Sequence, residues 1–119
     1  MTEYQLGAVE ARFAAIIWDN APLTSAELTR LALQQLGWKK STTYTVLRRL
    51  CARGFFRNID GVVTSCLSKP ELMAAQSQQF VEETFAGSLP AFLTAFSARR
   101  RLTEAEIAAI RRLIDGEGE

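Results

Sequence analysis

Between Trp38 and Arg57 the chain carries six basic residues, Lys39, Lys40, Arg48, Arg49, Arg53 and Arg57, and no acidic one. The remainder holds 8 basic and 13 acidic residues, so a positive stretch sits in an acidic body although the whole chain is only +1. Ser41, Thr42, Tyr44 and Thr45 interleave with these cations. The chemistry available to such a set is recognition of a polyanion. A guanidinium grips a phosphate or a guanine edge with two parallel hydrogen bonds. A threonine hydroxyl bonds to a base edge or a phosphate, and its methyl packs on the thymine methyl. A basic segment free of carboxylates is the electrostatic footprint of nucleic-acid binding. The candidate DNA-binding residues are therefore Lys39, Lys40, Ser41, Thr42, Tyr44, Thr45, Arg48, Arg49, Arg53 and Arg57.

Catalysis finds little to work with. The chain has no histidine, which removes imidazole acid–base chemistry, Ser-His and Cys-His nucleophile pairs, and histidine metal sites. Its two cysteines, Cys51 and Cys66, form no zinc spacing and no disulfide framework. They read as small buried apolar residues. No Gly-rich phosphate loop or paired-carboxylate motif is present. The expectation is a protein that is not an enzyme and takes no cofactor and no metal.

The elements that must position these residues follow from hydrophobic periodicity. Leu6, Val9, Phe13, Ile16 and Ile17 predict a first helix over about 7–19, stopped by Asn20-Ala21-Pro22. Leu23 suits a very short strand. Thr24 and Glu27 form a capping-box pattern for a second helix with Leu28, Leu31, Ala32 and Leu36 on one face, ended by Gly37. A third helix over about 41–53 turns Thr43, Val46, Leu47 and Leu50 inward. Its outer or flanking residues are then Ser41, Thr42, Tyr44, Thr45, Arg48, Arg49 and Ala52. Asp60-Gly61 between the β-prone runs 55–59 and 62–67 predicts a tight hairpin. Two helices joined by a short turn and followed by a hairpin are a winged helix-turn-helix, in which the second helix of the pair enters the major groove.

A second region begins at Ser68, where Ser68-Lys69-Pro70-Glu71 repeats the capping-box pattern. Helices are predicted up to Gly87, after Ser88, and after the capping box Thr103–Glu106. Their apolar residues, Phe80, Phe85, Leu89, Phe92, Leu93, Phe96, Ile107, Ile110, Leu113 and Ile114, are too many for three short helices of a monomer. They are the candidate dimerisation residues of an isologous homodimer. Arg99-Arg100-Arg101 reads as a solvated helix C-terminal run, and the Gly116–Glu119 tail as frayed. The fold class is thus mainly α with a small β-hairpin. A winged helix-turn-helix DNA-binding domain spans 1–67 and a helical dimerisation tail spans 68–119. No apolar run approaches the ~18–20 residues of a membrane span, and the start carries no leader pattern. The expectation is a cytoplasmic protein without membrane insertion.

The stretch Trp38–Gly54, with its order Trp, Thr42, Thr45, Leu47, Arg49-Leu50 and a closing Gly, resembles the recognition segment of the penicillinase (β-lactamase and methicillin-resistance) repressor family. Leu6-Gly7 with Glu10 and Trp18, Gly87-Ser88-Leu89, and Leu102–Ile107 extend the resemblance over roughly residues 5–115. The resemblance implies a homodimeric transcriptional repressor on a palindromic operator in double-stranded DNA, with contacts from Thr42, Tyr44, Thr45 and Arg49. It also implies inactivation by cleavage in the tail, at the position matching Ala95 and Phe96, triggered through a membrane receptor-linked protease. The chain departs from the family where Ala95 stands for the usual Asn and where Val62-Val63 follow the turn of a short wing. The Cys-x-Cys pairs of copper-responsive relatives are missing. The competing reading is a winged-helix module that binds another protein and no DNA.

Overall fold

The computed structural model describes residues 3–116. The expected frayed tail falls, beyond Gly116, outside the described residues. The chain forms two compact units, residues up to Ser77 and residues from Gln78 onward. This division lies beyond the expected one at 67/68, because Leu72 is only 3% exposed within the first core and Gln76 donates a hydrogen bond to the Tyr4 carbonyl at 2.9 Å.

The first unit runs α1 (Ala8–Asn20), β1 (Leu23–Thr24), α2 (Ser25–Leu36), α3 (Lys40–Ala52), β2 (Phe56–Ile59), β3 (Val62–Ser65) and the first part of α4 (Lys69–Thr84). Helix α1 buries Phe13, Ala14, Ile16 and Ile17. Val9, expected on the same stripe, is half exposed, whereas Leu6 packs against the core. Helix α2 starts at Thr24, whose hydroxyl accepts from the Glu27 N–H at 3.0 Å. The reciprocal half of that capping box is absent, because the Glu27 carboxylate is drawn to Arg30 at 2.6 Å. Gly37 ends the helix at φ 69°, where a Cβ is disfavoured. Its N–H bonds to Leu33 and the next N–H, of Trp38, reaches back to the Ala32 carbonyl at 3.3 Å. The reversal is completed within Gly37–Lys39, before α3 begins.

The sheet has the order β1-β3-β2 and is antiparallel throughout, with Leu23 opposite Val63 and Phe56 opposite Ser65. Asp60 at φ 53° and Gly61 at φ 80° form the two-residue turn that the Asp-Gly pair predicts. Cys66 and Leu67, expected inside the second strand, leave the ladder, and both of their N–H groups converge on the Phe55 carbonyl. Cys66 is therefore exposed rather than buried. Cys51 is half-buried, and burial pushes its thiol above the usual range. The Trp18 indole stacks on Phe56 at 5.5 Å and donates to the Leu67 carbonyl at 2.9 Å, which ties the end of the hairpin to α1.

The second unit comprises the remainder of α4, α5 (Leu89–Arg99) and α6 (Glu104–Ile114). Phe80, Phe85 and Phe92 meet edge to face with centroids 5.6–6.1 Å apart, and Phe96 joins Phe92 at 6.2 Å. Thr103 and Glu106 make a complete capping box on α6. Arg100 is more than a solvated cation, because it lies over the Phe96 ring and forks onto both Glu106 oxygens at 2.9 and 3.2 Å. Among the described residues no helix is long and apolar enough to cross a membrane.

The Arg100 guanidinium, followed by the Thr103 N–H, holds the Glu106 carboxyl down at about 2 from an ordinary 4.5. A carboxyl depressed on folding stabilises the fold above its unfolded pKa, and that contribution is lost as pH falls toward the folded value. Side-chain carboxyl NMR of the intact protein should therefore show Glu106 titrating near 2, and Arg100→Ala should raise its midpoint. An ordinary midpoint in the unaltered protein would mean the ion pair is not kept in solution.

Candidate nucleic-acid interface

Helix α3 has two faces with different tasks. Thr43, Val46, Leu47 and Leu50 are buried, and the Thr43 hydroxyl is satisfied by the Lys39 carbonyl at 3.2 Å. Trp38, at the α2–α3 turn, stacks on Phe13 at 5.0 Å and fixes the entry to the helix. The opposite side presents Lys39, Lys40, Ser41, Thr42, Thr45, Arg48 and Arg49 to solvent, with Tyr44 half-buried beside them. Lys40 lies over the Tyr44 ring, 5.9 Å from its centroid. The Thr45 hydroxyl is turned back to the Ser41 carbonyl at 2.9 Å.

The start of α3 has no side-chain cap and no acidic residue in its first turn. Its unpaired N–H groups and the positive end of its dipole thus face solvent beside two lysines, an arrangement that attracts anions. Arg57 projects from β2, opposite Thr64 in the ladder. Among the described residues no carboxylate pairs with Lys39, Lys40, Arg48 or Arg57.

Arg49 and Arg53 differ from these four. Arg49 Nη1 reaches Glu10 Oε2 at 3.4 Å, and Arg53 Nη1 stands 4.0 Å from Glu10 Oε1. Arg53 also donates to the carbonyls of Glu3 and Gln5 at 3.0 and 2.6 Å and lies over the Phe55 ring. Its side chain is only 25% exposed. Arg53 therefore clamps the N-terminal segment to the end of α3, whereas Arg49 keeps an exposed guanidinium. The carboxylate that sorts these two cations lies on α1, and no local spacing could assign it a partner 39 residues away.

The candidate dimerisation residues separate by exposure. Phe85, Phe92, Leu93 and Ile110 are half-buried, while Phe80, Leu89, Phe96, Ile107, Leu113 and Ile114 are exposed. Phe92, Leu93, Phe96, Leu102 and Ile110 line an apolar groove of about 330 Å³. Ala95 and Phe96 lie inside α5 and are both exposed.

The clamp predicts a division of labour between stability and surface chemistry. Arg53→Ala should lower unfolding free energy by about 2 kcal/mol, the scale of hydrogen bonds made by a charged donor. Thr45→Ala should change it by less than about 0.5 kcal/mol. Urea denaturation of both variants decides this, and an Arg53→Ala protein as stable as the parent would contradict the clamp.

A winged helix-turn-helix with this exposed basic face invites comparison with known regulators. The chain is 22% identical over 116 residues to the methicillin resistance regulatory protein MecI of Staphylococcus aureus, an alignment covering 94% of each chain. A family model described as penicillinase repressor matches residues 6–116. That family is one of regulators and not of enzymes. With nearly its whole length matched, the chain belongs to the penicillinase repressor family.

Proposed function

We propose that the chain is a homodimeric, sequence-specific transcriptional repressor that acts in the cytoplasm and binds a palindromic duplex operator through α3. The observation that carries this reading is the exposed face of α3, where hydroxyls, a phenol and unopposed cations surround an uncapped helix start. Family membership supports repression as the outcome, and the regulatory relative supports control of gene expression as its setting. Lys39, Lys40 and Arg48 beside hydroxyls on one helix, with Arg57 on β2, favour a nucleic acid over a protein partner.

The second unit supports the homodimer. None of the described residues from 78 to 116 is buried in the single chain, and Leu89, Leu113 and Ile114 are 55%, 66% and 75% exposed. An isologous contact that covers these side chains supplies the core the unit lacks, and its two-fold axis matches a palindrome. Release by proteolysis through a receptor-linked protease is part of the same proposal and rests on the family resemblance. A cut at Ala95–Phe96 severs α5 beside the aromatic cluster and detaches α6 from it. Since the bond is helical, α5 must unwind for a protease to engage it.

A mobility-shift assay on operator-containing duplex tests the DNA reading. If a dimer neutralises about 6–10 phosphates, affinity should fall about 10³- to 10⁵-fold between 50 and 200 mM salt. Arg49→Ala should cost about 1–3 kcal/mol of operator binding, the worth of one bidentate base contact, and Thr45→Ala should weaken it less. A flat salt response or two unaffected variants would reject α3 as the reading head.

Sedimentation tests the dimer. The full chain should be dimeric at micromolar concentration. A chain ending at Ser77 should stay folded, because its core is complete, and be monomeric. Operator affinity should then drop about 10²- to 10⁴-fold through loss of the linked second half-site contact. A dimeric truncated form would move the interface into the first unit.

A further inference from the structure

We propose that Glu10, on α1, is the positioning residue that aims Arg49 for sequence readout; this rests on the DNA-binding reading above. Glu10 lies outside the reading helix, yet its carboxylate touches that helix at two points. Oε2 accepts from Arg49 Nη1 at 3.4 Å, and Oε1 stands 4.0 Å from Arg53 Nη1. The carboxylate is itself held in place. Oε1 accepts the Gly7 N–H at 3.0 Å, and the side chain is 22% exposed. Gly7 belongs to the segment that Arg53 anchors through the carbonyls of Glu3 and Gln5. Glu10 is thus a fixed point and not a mobile surface acid.

Arg49 is the exposed partner, with a side chain 55% exposed at the rim of a cleft of about 530 Å³. With Nη1 on Glu10, its Nη2 and Nε donors remain uncommitted among the described residues. A tethered guanidinium has fewer rotamers to lose on binding and presents its free donors in one direction. Arg48 supplies an internal comparison. It is the same residue type on the same helix, one position earlier, exposed and, among the described residues, without a carboxylate partner. Arg48 acts as a freely turning fork toward phosphates, and Arg49 as an aimed one.

Two effects of opposite sign follow from replacing the Glu10 charge. Removing a negative charge beside the basic face strengthens sequence-independent attraction to the phosphate backbone. Releasing Arg49 weakens discrimination between sequences. A residue that only supports the fold moves both affinities together.

The test uses the full-length protein and a duplex that the unaltered protein enriches from a random library, with a scrambled duplex of equal composition beside it. Glu10→Gln keeps an oxygen acceptor for the Gly7 N–H and removes the charge. It should bind the scrambled duplex more tightly and the enriched duplex less tightly, reducing the affinity ratio about tenfold, within the range of one base contact. In an Arg49→Ala background the same substitution should leave the ratio unchanged. A ratio unaffected by Glu10→Gln, or reduced equally with and without Arg49, overturns the assignment. Failure of the unaltered protein to enrich any duplex overturns the DNA reading, and this inference with it. A second measurement needs no variant: guanidinium ¹⁵N NMR of the unaltered protein should show slowed rotation at Arg49 and free rotation at Arg48. Equal mobility of the two overturns the positioning role even if Glu10→Gln fails to fold.

Discussion

The direction of each exposed group on α3 depends on four side chains that are not exposed. Thr43, Val46, Leu47 and Leu50 pack into the core shared with Phe13, Ile17, Leu28 and Val63. With a helical period of 3.6, burying those four leaves Ser41, Thr42, Thr45, Arg48 and Arg49 on the outer side. The single buried polar member, Thr43, is tolerated because its hydroxyl bonds to the carbonyl one turn back. Trp38 against Phe13 and the left-handed Gly37 set where the helix begins, so its rotation about its own axis is determined at one end and along its length. The exposed face is therefore a consequence of core packing.

The two units satisfy hydrophobic demand in different ways. The first encloses Phe13, Phe55, Phe56 and Leu47 at 2% exposure or less. The second, with three short helical segments, brings its phenylalanines into contact yet buries none of its described residues. Helices of about 11 residues are marginal alone, and α5 and α6 are 11 residues each. The Ser88 cap, the Thr103–Glu106 box and the Arg100 ion pair help close their ends. These exposed ionic contacts are individually weak. Apolar surface on Leu89, Leu113 and Ile114 remains available for a contact far larger than any cap, which is why the proposed dimer is assigned to this unit.

Periodicity and turn chemistry make most of the fold legible in the sequence. The inward stripe of α3, the Asp60-Gly61 turn, the Gly37 stop and the capping boxes at Ser68 and Thr103 are local patterns with local causes. What escaped was set by partners distant in the chain. Arg53 looked like one more cation of a basic run, and its bonds to the Glu3 and Gln5 carbonyls arise only when the N-terminal segment folds across the end of α3. The Thr24 box stayed half formed because Arg30 competes for Glu27. Cys66 is exposed because the strand leaves the ladder at Ser65. Leu72 extends the first core past the apparent boundary, a choice made by packing and not by composition.

Those long-range contacts change what the charge of a segment means. A count over residues 38–57 treats six cations as equivalent, and the fold divides them into three kinds. Lys39, Lys40, Arg48 and Arg57 have no acidic partner among the described residues, so no neighbouring carboxylate offsets their charge. Arg53 is consumed by carbonyls and the Phe55 ring and contributes to stability. Arg49 stands between, part of its guanidinium on Glu10 and the rest facing outward. Long-range attraction by unpaired charges is indifferent to sequence, whereas a directed hydrogen bond depends on what stands opposite it. On the proposed reading, the fold separates attraction from discrimination on one helix by placing a single carboxylate of α1 beside one arginine and away from its neighbour.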